Sequence, residues 1–330
     1  MDRATIVLAR HEVERLLDVP SCIAAVEGAF RRRGEGRESP SGVLGVHASG
    51  GGFHVKAAAL ELGRPYFAAK VNANFPGNTA ARGLPTIQGV LALFDATSGV
   101  PLALMDSTAI TTLRTAAASA VAAKALAREG AATAAFIGCG VQARAHVAAL
   151  RHVRPLSTIA AFDTDTETAT RFASHVQEVH GVPAHVAADV ESAVAACEIV
   201  VTCTTSRRAF LGTRHLAPGA FVAAVGADNE DKNELEPGLM RAAAVIVDDL
   251  DQCCTIGDLR HAIAAGAMTR HGVRAALGDV VVDPSRGRQG EEEIVVFDST
   301  GVAIEDVAAA AVAYERALEE GAGVTVELGH

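Results

Sequence analysis

The sequence has no tryptophan and only two tyrosines, and aromatic residues make up 4% of its 330 positions. Its formal charge of −10 leaves no basic surplus. A nucleic-acid surface needs basic stripes and stacking platforms, so both shortages argue against that class of partner. No run of 18 or more apolar residues is free of charge, which argues against a transmembrane helix. The opening Met1-Asp2-Arg3-Ala4 has no apolar signal core. The six cysteines, at positions 22, 139, 197, 203, 253 and 254, lack metal-ligand spacing, and the adjacent pair Cys253-Cys254 would make only a strained local disulfide. The expectation is therefore a cytoplasmic protein with buried thiols and no metal. Internal repeats and low-complexity linkers are absent as well, and the length suffices for two domains with a full core.

What is present is a nucleotide fingerprint. Ala134-Ala135-Phe136-Ile137 reads as a short buried strand that runs into Gly138-Cys139-Gly140-Val141-Gln142-Ala143 and then into the amphipathic stretch 144–153. Gly138 permits a tight turn, Gly140 lets backbone approach a pyrophosphate, and Ala143 allows close packing of helix on strand. The helix start, with Val141 and Gln142, offers unpaired N–H groups and a partial positive charge to phosphates. A glycine turn of this kind is common, but here the next strand, Thr158 to Phe162, ends in Asp163, where a carboxylate binds ribose hydroxyls. No Arg or Lys directly follows Asp163, so NAD(H) is favoured over NADP(H). The alternative is an ordinary acidic strand end beside a structural turn.

Before the fingerprint, a strand at Ile6–Ala9 and a helix at Glu12–Leu17 precede a second helix, with Ser21 as its N-cap and Arg31-Arg32-Arg33 complementing its C-terminus. From Gly42 to Asp106 strands broken by glycine follow (Val43–His47, Gly52–Ala58, Tyr66–Asn72, Thr86–Asp95, Leu102–Met105), which predicts a meander or barrel-like half. An Ala-rich helix covers Ser107–Arg128. After Asp163 the rhythm is β-α-β, with strands at Ala184–Ala188, Ile199–Thr204, Phe221–Val225, Val245–Asp248 and Ile294–Phe297. The helices lie at Thr166–Val179, Glu191–Cys197, Glu234–Ala243 and Ile256–Gly266. Parallel strands place ligands at their carboxyl ends, which makes Thr202–Thr204, Gly226–Asp228 and Asp298–Gly301 candidates for lining a cleft. A last helix, Val307–Glu320, leads to the alternating Thr325–Leu328, a strand expected to return to the N-terminal half.

Three residues outside the fingerprint carry chemical interest. Lys70 stands inside an apolar strand, where a lone lysine is costly unless paired or used, or else snorkels from an edge strand. Arg114 punctuates a helical run of small residues, which leave room for a ligand or serve helix packing. Asp228 ends a strand. An amino-acid-like substrate needs a cation for its carboxylate, best a bidentate Arg, and hydride transfer at C2 needs a proton donor or acceptor such as Lys70 or Asp228.

Six segments then occur in a telling order: Lys70-Val71-Asn72 with Phe75-Pro76 and Asn78, Gly83-Leu84-Pro85-Thr86, Leu113-Arg114-Thr115-Ala116-Ala117, Gly138-Cys139-Gly140-Val141-Gln142, Gly226-Ala227-Asp228, and Phe297-Asp298-Ser299-Thr300-Gly301 with Glu305-Asp306. Over essentially its whole length the chain resembles the ornithine cyclodeaminase/μ-crystallin family. The resemblance implies an α/β protein, with a Rossmann NAD-binding domain at 116–306. A discontinuous α+β substrate and dimerisation domain would span 1–115 and be completed by 307–330. It implies a homodimer, a site between the domains, Lys70 and Arg114 on the substrate carboxylate, and Thr86 nearby. Asp228 would be the acid/base or amine-binding carboxylate, Ser299 and Thr300 would lie close to the nicotinamide, and Thr202 to Thr204 would run along the cofactor.

The departures from the family are informative. The region 42–52 lacks the arginine that family members often carry there, and Lys56 is the candidate substitute. The stretch 42–60 also lacks the carboxylate expected for a distal substrate amine, offering His54 and Lys56 instead. A lost charged hydrogen bond costs roughly 1.5–3 kcal/mol, so a cationic side chain would be poorly received. The expected activity is NAD(H)-dependent interconversion of a small 2-imino acid and its amino acid, of alanine dehydrogenase or imine reductase type, with iminosuccinate worth testing. The alternatives are a cyclodeaminase with tightly held NAD+, or a non-catalytic binding protein.

Overall fold

The computed structural model describes residues 4–37 and 41–328. It divides into two compact units, one running to Arg114 and resuming at Val302, the other Thr115–Gly301. In the first, β1 (Ala4–Leu8) leads through α1 (Arg10–Leu16) to α2 (Val19–Gly34). Asp18, and not Ser21, caps α2: its carboxylate accepts the Ser21 amide at 2.8 Å, with Pro20 in the first turn where a missing N–H costs nothing. The expected meander follows as β2 (Gly42–Ala48), β3 (Gly51–Glu61), β4 (Pro65–Asn74), β5 (Ile87–Asp95) and β6 (Pro101–Asp106), each antiparallel to the next. A short helix, α3 (Asn78–Arg82), which the sequence reading lacked, interrupts it between β4 and β5 and ends at Gly83 with φ 63°.

Helix α4 (Ser107–Leu126) carries the chain into the second unit. There the elements run β7 (Thr133–Ile137), α5 (Val141–Leu150), β8 (Thr158–Phe162), α6 (Thr166–His180), β9 (Ala184–Val186), α7 (Val190–Val194), β10 (Ile199–Thr202), β11 (Arg207–Leu211), β12 (Phe221–Ala224), β13 (Asn233–Leu235), α8 (Pro237–Ala242), β14 (Ala244–Val247), α9 (Leu250–Thr255), α10 (Asp258–Ala264), β15 (Ala275–Ala276), α11 (Leu277–Val282) and β16 (Val295–Asp298). Eight of the strands form one parallel sheet in the order β15-β14-β16-β12-β10-β7-β8-β9. Its central strands are buried along their whole length, so they read as continuous apolar runs. From β7 the order grows through β8 to one side and through β10 to the other. That reversal is the topological switch point of a doubly wound Rossmann-type sheet.

One helix expected here is corrected. Glu234 does not begin a helix: it lies on β13, which pairs with β11, and the helix starts at Pro237, whose fixed φ suits a first helical position. The helix expected at 256–266 is present as α10, and a separate short helix, α9, which the sequence analysis lacks, precedes it across Gly257 at φ 88°.

The last helix, α12 (Ala303–Glu320), begins a turn before the expected Val307. Its start is fixed when the Glu305 carboxylate reaches back to the Val302 amide at 3.1 Å. Its alanines are buried where it packs on α2 and across β3 and β4, and these small side chains allow close approach. Strand β17 (Val324–Glu327) then pairs antiparallel with β1, which itself runs parallel to β6. The resulting seven-stranded sheet, β17-β1-β6-β5-β4-β3-β2, is open. Among the described residues no helix is long and apolar enough to cross a membrane.

Candidate functional site

The first unit gathers a buried cluster of opposite charges. Lys70 sits on β4, with β3 and β5 on either side, and is 3% exposed; the snorkelling edge-strand reading is therefore wrong. Its ammonium donates to Asp306 Oδ1 at 2.8 Å and to Thr111 Oγ1, on α4, at 3.2 Å. Arg114, one turn further along α4, donates from Nε to Asp306 Oδ1 at 2.9 Å and from Nη1 to Glu305 Oε2 at 2.8 Å. Lys56 stands directly across the β3–β4 ladder from Lys70. The start of α4 is held against β4 by the Ser107 hydroxyl, which donates to Asn72 Oδ1 at 2.6 Å. Gly89 leaves the space for that bond, since a Cβ there would lie 2.4 Å from Asn72 Oδ1 and 2.5 Å from Ser107 Oγ.

Burial pushes the Lys70 ammonium down to about 7; Asp306 works against that shift, while Arg114 and Lys56 add to it. The neighbouring cations hold the Asp306 carboxyl below its usual range despite burial. In the sequence, Glu305 and Asp306 stand out only as part of the last of the six family segments, with no role attached. The signal available was their position in the first turn of an apolar helix, where buried acids need partners. Thr86 is not brought to this cluster. It lies five residues before Leu91, the β5 partner of Lys70, which is on the order of 15 Å along a strand, and its hydroxyl faces Thr79 Oγ1 at 3.5 Å.

The second unit forms the glycine turn. Gly138 has φ 89°, and a Cβ there would lie 2.8 Å from the Cys203 carbonyl oxygen across the switch point, so only glycine fits. A Cβ on Gly140 would meet nothing within 4 Å: the protein leaves that space open. Gly140 is the N-cap of α5, and among the described residues no side chain caps this helix. Val141 is 70% exposed in the first turn, and Gln142 has a buried Oε1 without a partner. An uncapped ten-residue helix and an open approach fit a phosphate-bearing dinucleotide. Asp163 closes the turn from β8, its Oδ2 accepting the Cys139 amide at 2.8 Å.

Beneath the strand ends lies a chain of buried carboxylates that the sequence reading missed. Glu234 accepts the Thr202 hydroxyl at 2.6 Å, the Thr204 amide and hydroxyl at 2.7 Å each, and the Gly226 amide at 2.9 Å. Asp258 accepts the amides of Glu234 and Leu235, and Asp298 those of Asp258 and Leu259. Burial pushes all three carboxyls up, that of Asp298 to about 7. Thr202 is fully buried, with its hydroxyl on Glu234, which corrects its expected place along a cofactor. Asp248 organises the neighbouring turn, accepting the Thr300 and Gly301 amides at 2.6 Å each and the Thr300 hydroxyl at 2.9 Å, with Ser299 Oγ at 3.5 Å. Asp228 is exposed beyond the end of β12 and pairs with Lys232 at 2.7 Å. Among the described residues no group of three His, Cys, Asp or Glu is placed to hold a metal ion.

The sequence model of the ornithine cyclodeaminase/mu-crystallin family matches residues 3–321. An alanine dehydrogenase of Archaeoglobus fulgidus is 36% identical over 98% of each chain. An iminosuccinate reductase of Paracoccus denitrificans is 31% identical over 98% of this chain and all of its own. Among solved structures, an archaeal alanine dehydrogenase dimer with bound NAD superposes with a TM-score of 0.92 at 36% identity, covering 98% of this chain and 99% of that one. The Thermococcus litoralis Δ1-pyrroline-2-carboxylate reductase in complex with NADH and L-proline also reaches 0.92, at 31% identity, covering 98% of this chain and all of that one. On sequence and on fold, the chain belongs to the ornithine cyclodeaminase/mu-crystallin family.

Proposed function

We propose that this protein is an NAD(H)-dependent oxidoreductase of the imine reductase and alanine dehydrogenase type, interconverting a small 2-imino acid and its amino acid. The observation that carries the reading is the buried cluster of Lys70 and Arg114 against Glu305 and Asp306, with half-buried Lys56 across the ladder from Lys70. Lys70 and Arg114 present an ammonium and a planar guanidinium side by side, the groups that receive a substrate carboxylate. The second unit would bind the dinucleotide, with its phosphates at the start of α5 and its adenosine ribose beside Asp163. Bound NADH supplies the hydride. Lys70 and Arg114 hold the carboxylate so that C2 is presented in one orientation, and Lys70 or Asp228 moves the proton.

A distal substrate amine finds no carboxylate on β2 or on β3 as far as Leu60, while Lys56 adds a cation there. This favours a small neutral or acidic side chain over ornithine. The protein would work as a homodimer: Leu44, Val46, Phe53 and Val90 share one face of the sheet and are exposed there, and sedimentation would read burial of that apolar area as a doubled mass.

The deciding experiment follows NADH consumption with pyruvate, glyoxylate, oxaloacetate or 2-oxobutyrate plus ammonia, and then with cyclic imines. Turnover that requires both NADH and an imine supports the reading. Release of ammonia from ornithine without net NADH change would replace it with a cyclodeaminase. NADH binding with no turnover of any substrate would leave a binding protein.

A further inference from the structure

We propose that Asp306 is a positioning residue for imine reduction, a single carboxylate that fixes both Lys70 and Arg114 in the places where they meet the substrate. The inference rests on the proposed function, and it assigns a role to a residue that touches neither substrate nor cofactor in that reading.

Asp306 Oδ1 receives the Lys70 ammonium at 2.8 Å and the Arg114 Nε–H at 2.9 Å, so one oxygen bridges the two cations. Asp306 is 1% exposed and lies in the first turn of α12, between Glu305 and the apolar face that packs on β3 and β4. The bridge ties together a strand residue, a helix residue and a residue more than 190 positions away in sequence. Lysine has a flexible stem and three rotatable donors, so an ammonium on the strand alone would not be aimed at anything. Arginine is planar. Holding Nε from Asp306 and Nη1 from Glu305 therefore fixes the plane of the whole guanidinium.

Asp306 also sets the charge. Among the described residues, the charged groups acting on Lys70 are Asp306 from α12, Arg114 from α4 and Lys56 from β3, and Glu305 from α12 pairs with Arg114 beside them. Of the charges acting on Lys70, Asp306 favours its protonated form, while Arg114 and Lys56 oppose it. Removing the Asp306 charge leaves Lys70 buried among cations, and its proton then leaves at lower pH. A residue that merely filled space at the start of α12 would have no such effect.

The test is Asp306→Asn in the full-length protein with NADH bound, using the best imino acid from the substrate screen. The expected result is a fall in kcat/KM of roughly 100-fold, mostly through KM. The Lys70 limb of the pH profile should move toward acid by about one pH unit or more. Asp306→Glu keeps the charge but displaces it, and should lower kcat/KM roughly tenfold while leaving the limb in place. Wild-type kcat/KM and an unmoved limb in Asp306→Asn would overturn the inference. Should Asp306→Asn fail to fold, wild-type kcat/KM in Asp306→Glu would overturn it instead.

A readout independent of turnover separates this inference from the functional reading. The chain has four lysines, Lys56, Lys70, Lys124 and Lys232, so the side-chain carbon signals of labelled lysine can be assigned by substitution and titrated directly. A Lys70 titration that is the same in Asp306→Asn and wild type sinks the positioning role. An absence of turnover in the wild type sinks only the proposed reaction.

Discussion

Replacing Glu234 by glutamine alters one atom type and tests how the nucleotide-binding strand ends are held. The carboxylate accepts four hydrogen bonds: the Thr204 amide and hydroxyl on Oε1, and the Thr202 hydroxyl and Gly226 amide on Oε2. A glutamine keeps one acceptor oxygen and turns an NH2 toward the other pair. Either hydroxyl can rotate to accept from that NH2, but a backbone N–H cannot. One of the two amides, Thr204 or Gly226, is then left facing a donor in a fully buried site, a penalty of about 1–3 kcal/mol. Loss of charge-assisted bonds to the other donors raises the total to about 2–4 kcal/mol. For a unit of this size that corresponds to a fall in Tm on the order of 5–10 °C. Because Thr204 and Gly226 lie at the carboxyl ends of adjacent strands, NADH affinity should weaken roughly tenfold, about 1.4 kcal/mol. Thermal melting with and without NADH, together with a fluorescence titration of NADH, measures both quantities. An unchanged Tm and an unchanged Kd at neutral pH would refute the reasoning, because they would mean that the four donors do not need an anionic acceptor.

Arg114→Lys removes the planar fork while retaining the charge, and KM for the imino acid should rise roughly 10–100-fold in steady-state kinetics, with little change in NADH affinity. Reductive turnover should be flat at acid pH and fall as pH rises through about 7, because the Lys70 ammonium is the charged, proton-bearing form and burial places its loss there. A pH–rate profile of Lys70→Gln should lack that limb. Asp163→Ser should narrow the preference for NADH over NADPH by about an order of magnitude, since the carboxylate that repels a 2′-phosphate is gone. It should also weaken NADH itself, because the Cys139 amide loses its acceptor; kcat/KM ratios with the two cofactors check both effects.

The glycine turn was legible because its constraints are local. A positive φ at Gly138, an open face at Gly140 and an acid ending the next strand are each written within 30 residues. The meander from β2 to β6 was legible for the same reason, through glycine punctuation and alternation. What escaped depended on distance. Nothing near Glu234 in sequence says that its side chain will turn under β10 and β12, and its neighbours read as a helix until Pro237 is seen as the true first turn. Helix α9 escaped because it is only six residues long, Leu250–Thr255, and Gly257 at φ 88° cuts it off from α10. Thr202 looked available at a strand end, but burial and a carboxylate 32 residues away claimed its hydroxyl. Lys70 and Arg114 were found as isolated oddities, a cation in an apolar strand and a cation among small residues. Their acidic partners are hidden in the sequence, because Glu305 and Asp306 resemble ordinary helix-start acids until the fold brings them to the same point.

That pairing changes the physical meaning of the proposed substrate site. Two buried cations awaiting a carboxylate would be a poor resting state, because each would pay desolvation with nothing to offset it. Glu305 and Asp306 supply the offset, so the site can exist folded and empty of ligand at modest cost. A carboxylate bound beside Lys70 stabilises its ammonium, so binding of a carboxylate and retention of the Lys70 proton favour each other. A proton and a substrate that arrive together are what reduction of an imine consumes. The same coupling means that carboxylate affinity should weaken as pH rises through about 7, in step with the loss of the Lys70 proton. Calorimetry of a non-reacting 2-substituted carboxylate in buffers of different ionisation enthalpy would show proton uptake on binding above that pH, and binding without uptake would break the link between the two.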